Sequence, residues 1–110
     1  MKLRVVILKS AEADLMDLKS YILKNWNKST WQKTYGNIKA TIANIQDFPQ
    51  QGKVPEELAS VHSSQYRQVL SGMNRIIYEV RESTIFIHII CDSRRDLVPI
   101  LHNRLIRNAH

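Results

Sequence analysis

The chain has 110 residues, of which 44% are hydrophobic and 24% are charged. These proportions exclude a disordered or collagen-like chain, and the length predicts one domain over residues 1–110. Sixteen Lys and Arg against ten Asp and Glu give a net charge of +6, which suits nucleic acid, an anionic membrane or an acidic partner without choosing among them.

The single cysteine, Cys91, excludes an internal disulfide and is expected in a core strand. No Cys/His spacing resembles a zinc site, and we expect neither a metal nor a cofactor. No apolar run approaches about 18 residues, so no membrane-spanning helix is expected. The short apolar start runs directly into Glu12 and Asp14, which favours a buried strand over a signal peptide. We therefore expect a cytoplasmic protein.

The first half of the chain predicts a strand followed by two helices. Residues Lys2 to Leu8 are rich in Leu, Val and Ile, as in a strand. Ser10 is the expected N-cap of the first helix, and Ser29, with Gln32 as its capping-box partner, is the expected start of the second. Apolar residues then recur at spacings of three and four until Pro49 ends the pattern. Two such helices with a short connection predict an antiparallel hairpin.

The second half predicts three strands and a short helix. Strands are expected over Tyr66–Leu70, Arg75–Arg81 and Thr84–Cys91, the last near the sheet centre because it is apolar on both faces. Residues 49–65 show no clear period. Asp96 is expected to cap the final helix. The expected buried stripe of that helix consists of leucines: Leu97, Leu101 and Leu105.

Three stretches of the sequence share their order and spacing with a known group of proteins. The first is SAEADLMDLKSYI after the opening strand. The second is IANIQDFPQQGK, in which Phe48-Pro49 is followed by Gly52, as is common in this group. The third is YRQVLSGMNRIIYEV followed by IFIHIICDSRRDL. Together they resemble the ParE/RelE superfamily of small bacterial toxins from type II toxin–antitoxin modules, and most closely its ParE branch.

The resemblance implies an α+β fold in which a small antiparallel sheet packs on an N-terminal helical hairpin, in the order β-α-α-β-β-β-α. It also implies a cognate antitoxin that neutralises the toxin in a hetero-oligomer. RelE-like members of the superfamily cut messenger RNA in the ribosome, whereas ParE-like members poison DNA gyrase and block replication.

Residues of the RelE type are only partly present. Arg75 and Arg94 fall where RelE-like enzymes place phosphate-stabilising arginines, and Arg67 falls where one of their lysines stands. Val69 replaces the second lysine, and the expected tyrosine corresponds to about Ile100, which transfers no proton. The resemblance therefore favours a gyrase inhibitor that acts by binding, with no catalytic residue. The alternative is a metal-independent endoribonuclease that uses the three arginines as a phosphate clamp.

The four histidines offer no secure catalytic geometry. His88 lies within the apolar strand TIFIHIIC and faces either the core or a groove, and the structural role is favoured. His102 falls on the short C-terminal helix, His62 in a loop, and His110 at the end of the chain.

Two sets of residues are candidates for partner contacts. The predicted target-binding residues are arginines that follow the last strand: Arg94, Arg95, Arg104 and Arg107. The predicted antitoxin-binding residues are aromatic and cluster where the two helices connect: Trp26, Trp31 and Tyr35. The competing interpretation is that one of Arg94 and Arg95 pairs with Asp92 or Asp96 and that the aromatic stripe is core. Arg67 and Arg75 form one patch only if their side chains face the same way.

Overall fold

The computed structural model describes residues 2–58 and 65–108, and the side chains of 2–58 and 65–104. Its elements, in order, are β1 Arg4–Ile7, α1 Lys9–Asn25, α2 Lys28–Asp47, a 3-10 turn Glu56–Leu58, β2 Tyr66–Ser71, β3 Asn74–Arg81, β4 Thr84–Asp92 and α3 Leu97–Asn108. The predicted order β-α-α-β-β-β-α is confirmed. The predictions for His62 and His110, and for the side chains of Leu105 and Arg107, lie outside the described part.

The four strands form one mixed sheet in the order β1-β4-β3-β2. Strands β2, β3 and β4 are antiparallel neighbours, as predicted, and β4 is an inner strand. β1 pairs parallel to β4, with Arg4 opposite Thr84 and Ile7 opposite Ile87. The antiparallel description therefore holds for three strands, and β1 makes the sheet mixed.

The start of α1 differs from the prediction. The helix begins at Lys9, directly after the extended residue Leu8, and no side chain caps it. Leu8 N still donates to Ile87 O at 3.2 Å, while Leu8 O accepts the amide of Glu12 at 2.9 Å. The prediction that Ser10 is the N-cap is wrong because pairing with β4 holds Leu8 extended and leaves Ser10 within the first turn.

The start of α2 also differs. Asn27 is its N-cap, and Asn27 Oδ1 accepts from Thr30 N at 2.8 Å and from Thr30 Oγ1 at 2.9 Å. The prediction of Ser29 with a Gln32 capping box is wrong by two residues, since asparagine caps as well as serine does. In contrast, Asp96 caps α3 as predicted, because its Oδ1 accepts Val98 N at 3.1 Å.

The core is divided by the sheet into two layers. Between the helical hairpin and the sheet lie mainly isoleucines: Ile38, Ile45, Ile76, Ile85, Ile87 and Ile90. On the opposite face, α3 and the 3-10 turn cover a second cluster: Leu58, Tyr66, Ile77, Ile89, Cys91, Leu97 and Leu101. Cys91 is buried, as predicted, in β4. No helix in the described part of the chain is long and apolar enough to cross a bilayer.

The turn after α2 is fastened to the sheet by Tyr78. Its hydroxyl donates to Pro49 O at 2.9 Å and accepts the amide of Gly52 at 3.0 Å. A Cβ atom on Gly52 would lie only 2.9 Å from Tyr78 Cε1 and 3.0 Å from Gln68 O. Position 52 therefore requires glycine, which explains the physical need for this residue in the FPQQG stretch.

Candidate functional site

A cleft of about 740 Å³ opens where the connected ends of α1 and α2 overhang the sheet. Its other walls are the turn between β2 and β3, the end of β4 and the residues directly after β4. Ile90 and Cys91 contribute to the sheet side, while Thr30, Thr34 and Asn37 contribute to the α2 side. A concave site of this volume is in the range that proteins use for ligands and for side chains of partners.

Exposed apolar side chains line this cleft. Tyr21 and Trp26 are 56% and 59% exposed, and their rings meet edge to face with centroids 5.6 Å apart. Met73, from the β2–β3 turn, is 61% exposed. Large apolar side chains grouped in this way on a surface are typical of an interaction site.

Two exposed arginines also contribute to the cleft. Arg94 Nε and Nη2 each donate to Asp92 at 2.9 Å, and its backbone amide donates to Asp92 Oδ1 at 2.8 Å. These bonds from Arg94 lower the pKa of the Asp92 carboxyl to about 2. The Arg94 side chain stays 77% exposed, and Arg95 is exposed beside it. The interpretation that one arginine of this dipeptide pairs with Asp92 is confirmed.

The guanidinium of Arg75 is buried and bound to groups within the protein. Its side chain is 6% exposed, forms an ion pair with Glu57, and donates to Gln68 Oε1 at 2.9 Å and to Arg95 O at 2.5 Å. The hydrogen bond from Arg75 lowers the pKa of Glu57, whose Oε2 also accepts Leu97 N at 3.3 Å. Arg75 thus ties the 3-10 turn, β2 and the start of α3 together.

Arg67 lies on the hairpin-side face of the sheet, opposite to the face that holds Arg75. It stands opposite Tyr78, which belongs to the hairpin-side core, and its Nη1 donates to Gly52 O at 2.6 Å. Arg75 stands opposite Cys91, which belongs to the α3-side cluster. Directly opposed residues on antiparallel strands share a face, so Arg67 and Arg75 do not form one patch. The structure does not bring Arg67, Arg75 and Arg94 together as a group.

Arg104 is held by α1 and β4. It donates to both carboxylate oxygens of Asp14, at 3.0 and 2.5 Å, and to His88 O at 2.9 Å. Asp14 Oδ2 also accepts the amide of Ile90 at 2.9 Å. β1 pairs with β4 only as far as Ile87. Beyond that residue, the Asp14 and Arg104 side chains form the hydrogen bonds that the backbone of β4 needs along this edge. Asp14 was missed by the sequence reasoning, because only its spatial approach to α3 reveals its role.

His88 belongs to the core rather than to a groove. Its Nε2 lies 2.9 Å from Glu79 Oε1, and its ring meets Tyr66 edge to face at 5.1 Å. The side chain is 7% exposed, and this burial lowers its pKa. His102 is exposed on α3. No group of three or more His, Cys, Asp or Glu residues able to hold a metal occurs within residues 2–58 and 65–108.

The three predicted antitoxin residues are divided between two grooves. Trp26 lines the cleft. Trp31 and Tyr35 stack with centroids 5.2 Å apart and line a separate groove of about 310 Å³ between α1 and α2, together with Met16 and Lys19. The structure therefore separates Trp26 from the other two residues, although all three lie near the helix connection in sequence.

The chain is similar to known proteins in both sequence and fold. The profile of the ParE toxin of the type II toxin–antitoxin system parDE matches residues 5–97. A solved structure of the chromosomal ParDE toxin–antitoxin system from P. aeruginosa superposes with a TM-score of 0.67 at 16% identity, and the match covers 83% of this chain and 96% of that one. At this identity the likeness establishes the fold alone. A search of curated proteins found no match.

Proposed function

Because this chain belongs to the ParE toxin family of type II toxin–antitoxin systems, we propose that it stops bacterial growth by binding and inhibiting DNA gyrase. A cognate antitoxin neutralises it by direct contact, and the active species is the toxin released from that complex. The activity is one of binding, and no bond of a substrate is broken by the toxin itself.

The observation that carries action by binding, rather than by RNA cleavage, is the dispersal of the arginines. RNA cleavage without a metal needs a base, an acid and a cationic clamp that converge on one phosphate. Arg75 is engaged by Glu57, and Arg67 lies on the opposite face of the sheet. Position 100, where the resemblance places a tyrosine, is an isoleucine. This arrangement supports a toxin that acts by binding over one that acts as a nuclease.

Target contact is proposed for Arg94 and Arg95. Both side chains are exposed at the end of the sheet and lie beside the aromatic pair of the cleft. Arg104 was predicted to share this role, but its guanidinium is already held by Asp14, which leaves it a part in docking α3. Arg107 remains a prediction, since its side chain lies outside the described part.

The test is gyrase-catalysed supercoiling of a relaxed plasmid with purified toxin. Inhibition at stoichiometric toxin, with accumulation of cleaved DNA, is expected. The double variant Arg94→Ala/Arg95→Ala should lose at least about tenfold in potency, which corresponds to about 1.4 kcal/mol of binding. The double variant Arg4→Ala/Arg81→Ala removes two other exposed arginines and serves as the charge-matched control. Equal losses in the two variants would assign the effect to net charge alone.

A cellular assay separates gyrase from the ribosome as the target. Pulse labelling just after induction of the toxin should show loss of DNA synthesis while protein synthesis continues. Early loss of translation, with cleavage of ribosome-bound message by the purified toxin, would instead establish the endoribonuclease alternative and overturn the proposal.

A further inference from the structure

The lysines of the helical hairpin form a patch of uncompensated positive charge. Residues 18–46 contain five lysines and no Asp or Glu. No lysine forms an ion pair within the described part of the chain, whereas four carboxylates pair with arginine or histidine. We propose that the exposed face of α2 binds duplex DNA through its phosphates, so that the toxin engages gyrase and its DNA together. The gyrase part of this inference rests on the proposed function.

The three lysines of α2 lie on both flanks of its exposed face. Lys28 and Lys39 are separated by about three helical turns, so they lie on nearly the same side of the helix. Lys33 lies about 140° around the helix axis from Lys28. All three side chains are exposed, while Ile38 and Ile45 of the same helix are buried against the sheet. The face of α2 that points away from the core is therefore bordered by positive charge on two sides.

Duplex DNA matches this distribution of charge. The distance from Lys28 to Lys39 along the helix axis is about 16 Å. The same length of duplex carries about ten phosphate charges. The major groove is about 12 Å wide and admits one α-helix, and the phosphates of the two strands border it. A helix with lysines on both flanks therefore reaches the phosphates of both strands.

The exposed side chains of α2 favour DNA over other anionic partners. Apart from Tyr35, the exposed residues from 28 to 44 are lysines, small residues or carriers of an amide or hydroxyl group: Lys28, Ser29, Gln32, Lys33, Gly36, Asn37, Lys39, Ala40, Ala43 and Asn44. Tyr35 is 38% exposed, and Lys39 Nζ lies 4.8 Å from the centre of its ring. A helical protein partner or a membrane needs a stripe of large apolar side chains, which this face lacks. Phosphates and sugars instead accept hydrogen bonds from lysine, amide and hydroxyl groups.

The lysine face adjoins the surface proposed for target contact. One side of α2 contributes Thr30, Thr34 and Asn37 to the cleft, which Arg94 and Arg95 also line. A toxin bound in this way contacts gyrase through the two arginines and DNA through the lysines of α2. Two linked contacts strengthen one another, because the second forms at the high effective concentration that the first provides. Full affinity therefore requires both gyrase and its DNA.

The first experiment measures DNA binding in the absence of gyrase and antitoxin. Purified toxin is added to a fluorescent duplex of about 20 base pairs at several KCl concentrations, and the anisotropy is recorded. Three phosphate contacts predict a slope of about −2.7 when the logarithm of the association constant is plotted against that of the salt concentration. The triple variant Lys28→Gln/Lys33→Gln/Lys39→Gln should bind at least about tenfold more weakly, with a slope shallower by about one for each lysine removed. Glutamine preserves helix propensity, so α2 should remain folded.

The matched control removes three exposed lysines outside the hairpin patch. Lys2→Gln/Lys9→Gln/Lys53→Gln has the same net charge as the α2 triple variant and should bind the duplex within about twofold of the unsubstituted toxin. Circular dichroism checks that both variants are folded. The inference is overturned if the unsubstituted toxin does not bind the duplex at the lowest salt concentration, or if the two triple variants lose the same affinity.

Two competitors test the other anionic partners. Vesicles of phosphatidylglycerol and phosphatidylcholine in equal amounts represent a membrane, and polyglutamate represents an acidic protein. Neither should displace the labelled duplex when added at the same concentration of negative charge as unlabelled duplex, which should displace it. Displacement by either competitor to the same extent as by unlabelled duplex would assign the face of α2 to anions in general and overturn the specific role in DNA binding.

The last experiment separates failure of this inference from failure of the gyrase proposal. The affinity of the toxin for gyrase is measured with and without a bound duplex, and the duplex should raise it at least about tenfold. The α2 triple variant should lose this gain and bind free gyrase normally, whereas Arg94→Ala/Arg95→Ala should lose gyrase binding and retain DNA binding. An absence of gyrase binding, with DNA binding intact, overturns the proposed function and leaves the DNA contact of α2 standing. Gyrase binding that the duplex does not strengthen overturns this inference alone.

Discussion

The two faces of the sheet are held by different forces. On the hairpin face, α1 and α2 cover a layer in which isoleucine is the commonest buried residue, with Ile38 and Ile45 no more than 1% exposed. On the other face, α3 is docked by Leu97 and Leu101 and by the ion pair of Arg104 with Asp14. The amide of Leu97 also donates to Glu57, which is paired with Arg75. The hydrophobic effect does not depend on how apolar groups are oriented, whereas a hydrogen-bonded ion pair requires one arrangement of its two side chains. The comparison suggests that the hairpin supplies stability and that the charged contacts set the position of α3.

The same contrast explains why arginine positions alone mislead. Arg75 and Arg104 have side chains only 6% and 12% exposed and serve as internal ties, whereas Arg94 is 77% exposed. All three have the residue type expected of a phosphate clamp or a target contact. Burial and partners, rather than residue type, separate the arginines that a partner can reach from those that it cannot.

The largest expected effect lies on the hairpin face. Ile45→Ala removes a fully buried side chain of α2, and a cavity in this layer should lower the free energy of unfolding by about 3 kcal/mol. Urea denaturation followed by circular dichroism measures the change. Leu23→Ala, at a position on α1 that is 42% exposed, is the control and should cost well under half as much. Equal costs would show that the layer under the hairpin is not the main contributor to the free energy of unfolding.

The next effect concerns the charged face. Arg75→Gln removes the partner of Glu57 and should cost about 2–3 kcal/mol, because a buried charge network is left incomplete. The loss should be local at first, so amide hydrogen exchange over residues 97–104 should accelerate before that of α1. Arg81→Gln, on the same strand but exposed, is the matched control and should change neither quantity appreciably. Uniform acceleration throughout the chain would contradict a specific role in docking α3.

A pair of glycine substitutions tests the loop that joins α2 to the sheet. Gly52→Ala forces a Cβ atom against Tyr78 and should cost about 2 kcal/mol. Gly36→Ala, in α2 with open space around it, should instead stabilise the protein by about 0.5–1 kcal/mol. Thermal unfolding of the two variants should therefore shift in opposite directions. A neutral Gly52→Ala would mean that Tyr78 moves aside at little cost.

The smallest expected effect is the pH dependence of His88. Burial lowers its pKa below the ordinary value of 6.5, so the unfolded chain binds this proton more readily than the folded one. Its contribution to stability is therefore complete above pH 6.5 and declines as the pH falls below that value. Urea midpoints at pH 7.5 and 5.5 should differ less in His88→Gln, which does not titrate, than in the original protein. An unchanged difference would assign the pH dependence to other groups.

Much of the architecture could be predicted from local pattern. Apolar spacings of three and four predicted both helices of the hairpin, and the β-branched run over residues 84–91 predicted an inner strand. Asp96 as a cap and Pro49 as the end of α2 also needed only neighbouring residues. These features could be predicted because the apolar period of a helix, the β-branched composition of a strand and the hydrogen bond of a cap each depend on residues close in sequence.

The states of Arg75 and Arg104 were decided by tertiary structure. Arg75 meets a carboxylate 18 residues away, and Arg104 meets Asp14 across 90 residues. The start of α1 depended in the same way on pairing between Leu8 and Ile87. The sequence by itself determined the elements and their order, because hydrophobic periodicity is a local property. Only the packed sheet decided which charges are buried and which remain exposed in the cleft, because Coulomb and hydrogen-bond energies depend on distances that the folded chain alone defines.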